Sequence, residues 1–130
     1  MQISLLAILI IITIHFIGDF VLQSHWQAIN KSKDNEALTQ HASTYALCWI
    51  GPMTALFYID HFTLSGSFLL SLAFTTITFL AHWITDYFTS RLNSKLWAKG
   101  NMHNFFVAIG GDQLLHYFQL FATFCLLKNI

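Results

Sequence analysis

The sequence predicts an all-α protein, an integral membrane antiparallel four-helix bundle with both termini outside. Three observations lead there. Charged residues make up 9% of the 130 residues and hydrophobic ones 55%, whereas soluble domains carry about 25% charge. Four apolar stretches, at about residues 3–23, 38–59, 67–88 and 105–127, each reach the roughly 20 residues that cross a hydrocarbon core. The basic residues Lys31, Lys33, Arg91, Lys95 and Lys99 fall after the first and third stretches, and only Lys128 and the terminal amine lie on the other side. By the positive-inside rule those two loops face the cytoplasm, giving an N-out, C-out, multi-pass protein of the inner (cytoplasmic) membrane.

The elements follow in order, within a single domain spanning residues 1–130. No basic residue precedes the first apolar run and no small-residue cleavage site follows it, so this span is expected to stay attached. Residues 24–36 form a polar loop with Trp26 placed for the interface. Pro52 lacks a backbone donor and predicts a local kink in the second span. Residues 60–66 read as a short turn. The third span is rich in Ser and Thr, which bond to helix carbonyls or to neighbouring helices. Residues 91–104 read as a second basic loop, before the last span. Cys48 and Cys125 lie in apolar segments without metal-type spacing and read as small buried hydrophobes. With zero formal net charge and no basic patch, nothing points to nucleic acid.

Polar groups inside the spans carry the functional signal. They are His15, Asp19, His41, His82, Asp86, Asp112 and His116. Three spans each hold a His and an Asp four residues apart, a spacing that puts both on one helix face. His15-Phe-Ile-Gly-Asp19-Phe and His82-Trp-Ile-Thr-Asp86-Tyr also resemble each other, hinting at a repeat about an axis along the membrane normal. Counting at about 1.5 Å per residue, the three pairs reach a common depth in the cytoplasmic half, although their helices run in opposite directions. His41 is shallower and is expected to cap the layer.

Imidazoles and carboxylates in this number suit a divalent metal, zinc first, with manganese or iron as alternatives. The ligands are expected to be His15, Asp19, His82, Asp86, Asp112 and His116. Two ions sharing a carboxylate would use this inventory, and facing helices of a bundle can build such a site. Metal would also neutralise aspartates whose burial in hydrocarbon is costly. Gln23, Tyr45 and Gln113 are expected around the ligands, and Lys31 and Lys33 at a headgroup phosphate. His25, His61 and His103, at span ends or in loops, read as ordinary polar residues. Aromatic residues such as Phe16, Phe20, Trp83, Tyr87 and Phe105 read first as packing and lipid contacts.

As a set, His15-Phe-Ile-Gly-Asp19-Phe-Val-Leu-Gln23, Asn30-Lys31-Ser32, His41 with Tyr45, His82 with Asp86-Tyr87, and Asp112-Gln113 with His116 resemble the bacterial and phage membrane family called domain of unknown function 3307. The resemblance covers all four spans and implies a small polytopic protein, with no activity attached. The chain is also similar in style to small inner-membrane proteins described as metal-dependent hydrolases. The expected function is a metal-dependent hydrolase of a lipid-like or phosphate-containing substrate at the cytoplasmic leaflet, with His41 as general acid or base. The membrane lipid is the expected partner, and an oligomer is open. Alternatives are a proton or divalent-cation transporter, a bis-histidine haem carrier, a structural metal, and a polar network that only holds helices together.

Overall fold

The computed structural model describes residues 3–60 and 62–130; His61 lies outside them. Among the described residues the chain is all-helical, without a strand. The elements are α1 (Leu5–Phe16), a π-helical turn (Ile17–Val21), α2 (His25–Asn30), α3 (Asn35–Leu47), α4 (Ile50–Ile59), α5 (Leu64–Ala98) and α6 (Met102–Lys128). Helix α5 organises the fold, packing against α3, α4 and α6, while α1 leans on α4 and α6 and its π turn on α3.

Local chemistry sets the helix boundaries. Ser4 caps α1 through Ala7 N–H, and Asp34 caps α3 through Glu36 N–H. Ser24 and Gln27 form a reciprocal capping box, so a short helix stands where a polar loop was expected. Thr63 caps α5. Gly100, at φ 68°, takes the left-handed turn between α5 and α6.

Three expected boundaries change. The second span divides into α3 and α4 at Cys48–Trp49, one turn before Pro52; the missing proline N–H leaves the carbonyl one turn back without its helical donor. Residues 91–98, expected as loop, continue α5 to 35 residues. Arg91 holds them in place: its guanidinium stacks on Tyr87 at 3.8 Å, donates to the Tyr87 carbonyl at 2.9 Å, and donates to Asn35 Oδ1 at 2.8 Å. The first apolar run ends in a π turn instead of continuing as α-helix.

By length and composition, α5 is the one helix among the described residues long and apolar enough to cross a membrane. Its burial is inverted relative to a water-soluble helix. Ser67, Ser71, Thr78, His82 and Asp86 face inward with Phe74, whereas Phe68, Leu69, Leu80, Ile84 and Phe88 face outward. Phe74 also joins an apolar core of Ile11, Trp49, Met53, Phe57 and Phe124 that fills the end of the bundle away from Arg91. At that end Lys128 pairs with Asp60 at 2.8 Å.

Candidate metal centre

The seven ionisable residues of the spans meet in one network, drawn from α1 with its π turn, α3, α5 and α6. His15, His41, His82, Asp19, Asp86 and His116 are buried, and Asp112 is partly so. The centre is His41. Its Nε2 lies 3.1 Å from Asp19 Oδ1, 3.1 Å from His82 Nε2 and 3.4 Å from Asp86 Oδ2. His82 Nε2 is in turn 3.7 Å from Asp19 Oδ1 and 3.6 Å from Asp86 Oδ2. One atom from each of these four residues therefore forms a compact group, all within 4.8 Å of one another. His41 lies within the layer, not above it.

These contacts cannot all be hydrogen bonds. A neutral imidazole Nε2 carries either one proton or one lone pair, so His41 cannot donate to Asp19 and also accept from His82 and from Lys31, whose Nζ lies 3.1 Å away. A cation removes the conflict, since both imidazoles and both carboxylates then present lone pairs to it. The size fits: a tetrahedron with ligand distances of about 2.0–2.1 Å has edges of about 3.3–3.4 Å, and the five distances above run from 3.1 to 3.7 Å. The His41 and His82 Nδ1 atoms are buried without a hydrogen-bond partner. The ring orientations are thus held by packing, including the stack of His82 on Tyr45 at 3.9 Å.

A second group joins Asp19 with Asp112 and His116. His116 Nε2 lies 3.4 Å from Asp112 Oδ1 and 3.1 Å from Asp86 Oδ1, the carboxylate whose other oxygen belongs to the first group. Thr89 donates to Asp112 Oδ1 at 2.6 Å. Asp19 belongs to both groups. The residues thus fit a divalent ion in a four-donor site, beside a three-donor site that leaves one tetrahedral position open.

His15, expected as a ligand, has both ring nitrogens engaged elsewhere. Gln113 Nε2 donates to Asp19 Oδ2 at 3.2 Å and Asp112 Oδ2 at 3.1 Å, which can only accept. Its Oε1 therefore turns to His15 Nε2, 2.8 Å away, which must donate, and Nδ1 of the neutral ring accepts the Tyr45 hydroxyl at 2.8 Å. The chain from Tyr45 through His15 and Gln113 to two carboxylates has one direction throughout. Gln113 and Tyr45 thereby lie beside the His/Asp cluster.

Asp19 sits within the π turn, its Oδ1 3.1 Å from His41 Nε2, whereas His15 belongs to the last α-helical turn before it. The two His-to-Asp repeats are consequently not equivalent, since His82 joins the four-donor group and His15 does not. Gly18 permits the approach of this turn to α3: a Cβ there would meet Cys48 Sγ at 2.8 Å and Tyr45 Cδ2 at 2.9 Å. Sequence reasoning passed over Gly18, although a glycine directly before a buried aspartate was the available signal.

Lys31 enters from the α2–α3 linker, its Nζ 2.8 Å from Asp86 Oδ2. Burial alone would pull its ammonium down, but the carboxylates of Asp86 and Asp19 hold it above the ordinary lysine value. Lys31 also lines a cavity of about 660 Å³ beside the centre, together with Gln23. Gln23 stands in the cavity wall, with Oε1 buried and unpaired, rather than against the ligands. His25 and His103 are exposed.

No curated protein and no solved structure matches the chain. The model of the family described as "Protein of unknown function (DUF3307)" matches residues 5–129, from α1 to the end of α6, and the chain belongs to that family.

Proposed function

We propose that the chain is a four-span, N-out/C-out protein of the inner membrane that holds divalent metal, zinc first, and acts as a metal-dependent hydrolase of a lipid-like or phosphate-containing substrate from the cytoplasmic leaflet. The observation that carries the metal reading is the four-donor group of Asp19, His41, His82 and Asp86, whose spacing suits a tetrahedral ion and whose contacts conflict without one. The membrane reading draws support from the inverted α5 and from exposed side chains on the other elements, such as Leu5, Leu9, Leu47, Phe106, Val107 and Phe118.

An ion held at the three-donor site would supply Lewis acidity to a phosphoryl or acyl oxygen and acidify water towards neutral pH. The chain's own residues do the rest. Thr89 and Gln113 orient Asp112, while Lys31 offers positive charge between the cavity and the cluster. A His41 that coordinates through Nε2 cannot exchange a proton there, so the ligand role displaces the general acid–base role expected from the sequence.

One observation favours a second reading, a cation or proton pathway. Polar side chains continue beyond the cluster, with Gln119 donating to Thr78 and Thr123, and Thr54 donating to Ser71. Against it, Trp49 and Phe74 meet at 5.4 Å across the core between these groups. Against a bis-histidine haem, the His82 and His116 rings stack directly on each other at 4.4 Å.

Elemental analysis of detergent-purified protein tests the proposal, with one or two equivalents of zinc, manganese or iron expected. A folded protein that takes up no divalent metal would overturn it. Zinc flux into proteoliposomes without hydrolysis of any phosphoester or ester would favour the pathway instead.

A further inference from the structure

Lys31 belongs both to the donor cluster and to the cavity beside it. Its Nζ lies 2.8 Å from Asp86 Oδ2 and 3.1 Å from His41 Nε2, and those two atoms are 3.4 Å apart. Both residues are members of the four-donor group. The His41 nitrogen has one lone pair, so it cannot serve an ammonium and a metal ion together. Distance forbids sharing as well. An ion about 2.0–2.2 Å from both atoms lies no farther than about 4 Å from Nζ, whichever side of the line between them it takes. Like charges that close in a buried site repel strongly.

The surroundings let the lysine side chain leave while the backbone stays. Lys31 N–H donates to the Gln27 carbonyl at 2.9 Å, and the N–H groups of Lys33 and Asp34 donate to the Asn30 carbonyl at 2.8 and 2.9 Å. The linker is thus tied as a turn, and the ammonium moves by a change of rotamer. The cavity of about 660 Å³ has room for it, lined by Ser32, Ser90, Asn93 and Ser94 and without a carboxylate among its lining residues.

We propose that Lys31 is a tethered cation that exchanges with the metal: its ammonium neutralises the buried carboxylates of the unloaded centre, and it swings into the cavity when Asp86 and His41 take up an ion. The exchange rests on the metal part of the proposed function and on nothing about hydrolysis. Because a bare buried carboxylate is costly, a centre without such a lysine would empty with difficulty. With Lys31 the metal is held exchangeably. Loading also shifts one positive charge from the cluster to the cavity beside the α2–α3 linker, so this surface reports whether the centre is loaded.

Amine acylation of the full chain in neutral detergent reads the position of Lys31. N-succinimidyl acetate is added in EDTA or in excess zinc, metal content is measured on the same samples, and Lys31 and Lys33 are quantified separately by peptide mass spectrometry. With zinc, acylation of Lys31 should rise about tenfold or more, as expected for freeing an ammonium from charge-assisted bonds. The exposed Lys33 should stay unchanged. Magnesium, which demands oxygen ligands and keeps its waters, should leave Lys31 protected. Zinc that binds while Lys31 stays protected would overturn the exchange and leave the metal reading standing. An equal rise at Lys33, or the same rise with magnesium, would mark general loosening and overturn it too. A folded protein that takes up no zinc would remove the metal reading and the exchange with it.

Discussion

Asp19→Asn is the most informative single change. Asparagine keeps the shape of the side chain but replaces a carboxylate that belongs to both donor groups. Its Oδ1 is one corner of the four-donor set, 3.1 Å from His41 and 3.7 Å from His82, and its Oδ2 takes the Gln113 amide at 3.2 Å. Losing a partner that merely orients a ligand lowers metal affinity about 10–100-fold, so losing a ligand should cost at least the upper figure. A metal at 100 times its dissociation constant stabilises the native state by about 2.7 kcal/mol, and a 100-fold weaker variant at the same concentration gains only about 0.4 kcal/mol. The zinc-dependent stabilisation should therefore shrink by about 2.3 kcal/mol. The assay is zinc titration of chemical or thermal unfolding in detergent, with metal content measured on the same samples. Asp60→Asn, at the far end of the bundle on Lys128, serves as the control and should keep the full effect. Asp112→Asn, which touches only the three-donor group, should lose one equivalent where Asp19→Asn loses both. An Asp19→Asn protein with unchanged zinc content and unchanged zinc-dependent stability would refute the coordination argument.

Three further outcomes follow from the same geometry. Lys31→Met removes an ammonium that competes with metal for Asp86 Oδ2 and His41 Nε2, so zinc affinity should rise about tenfold or more, measured by competition with a chromogenic chelator. Gly18→Ala forces a methyl against Cys48 and Tyr45 and should lower unfolding stability by about 1–3 kcal/mol; Cys48→Ala in the same chain should restore part of that loss. In a background lacking Cys48 and Cys125, a cysteine at Lys33 should react only from the cytoplasmic side of sealed vesicles and one at Ser65 only from the outer side. Labelling of the Lys33 position from outside would reverse the proposed topology.

Much of the centre was legible because it depends on periodicity. Four-residue spacing and agreement in depth along helices of opposite direction sufficed to gather Asp19, His82, Asp86, Asp112 and His116 into one cluster. The inference failed at His15, because spacing along one helix does not reveal that Tyr45 and Gln113, from other helices, take both of its ring nitrogens. The depth of His41 was misjudged because residues 24–30 fold into a short helix and residues 35–47 start α3 earlier than the apolar run implies. The extension of α5 through residues 91–98 was hidden because polar residues weaken a membrane-span signal without weakening a helix.

The sequence by itself determined the all-helical class, the inward polar stripe and the inventory of donors, because these depend on composition and on spacing along one helix. Only the tertiary structure decided which donors share a site. Membership in a donor group depends on distances between α3, α5 and the π turn, and these are set by packing choices such as the Gly18 approach to Tyr45 and the stack of His82 on the same ring. The same packing commits His15 to Tyr45 and Gln113 and brings Lys31, remote in sequence, to 2.8 Å from Asp86.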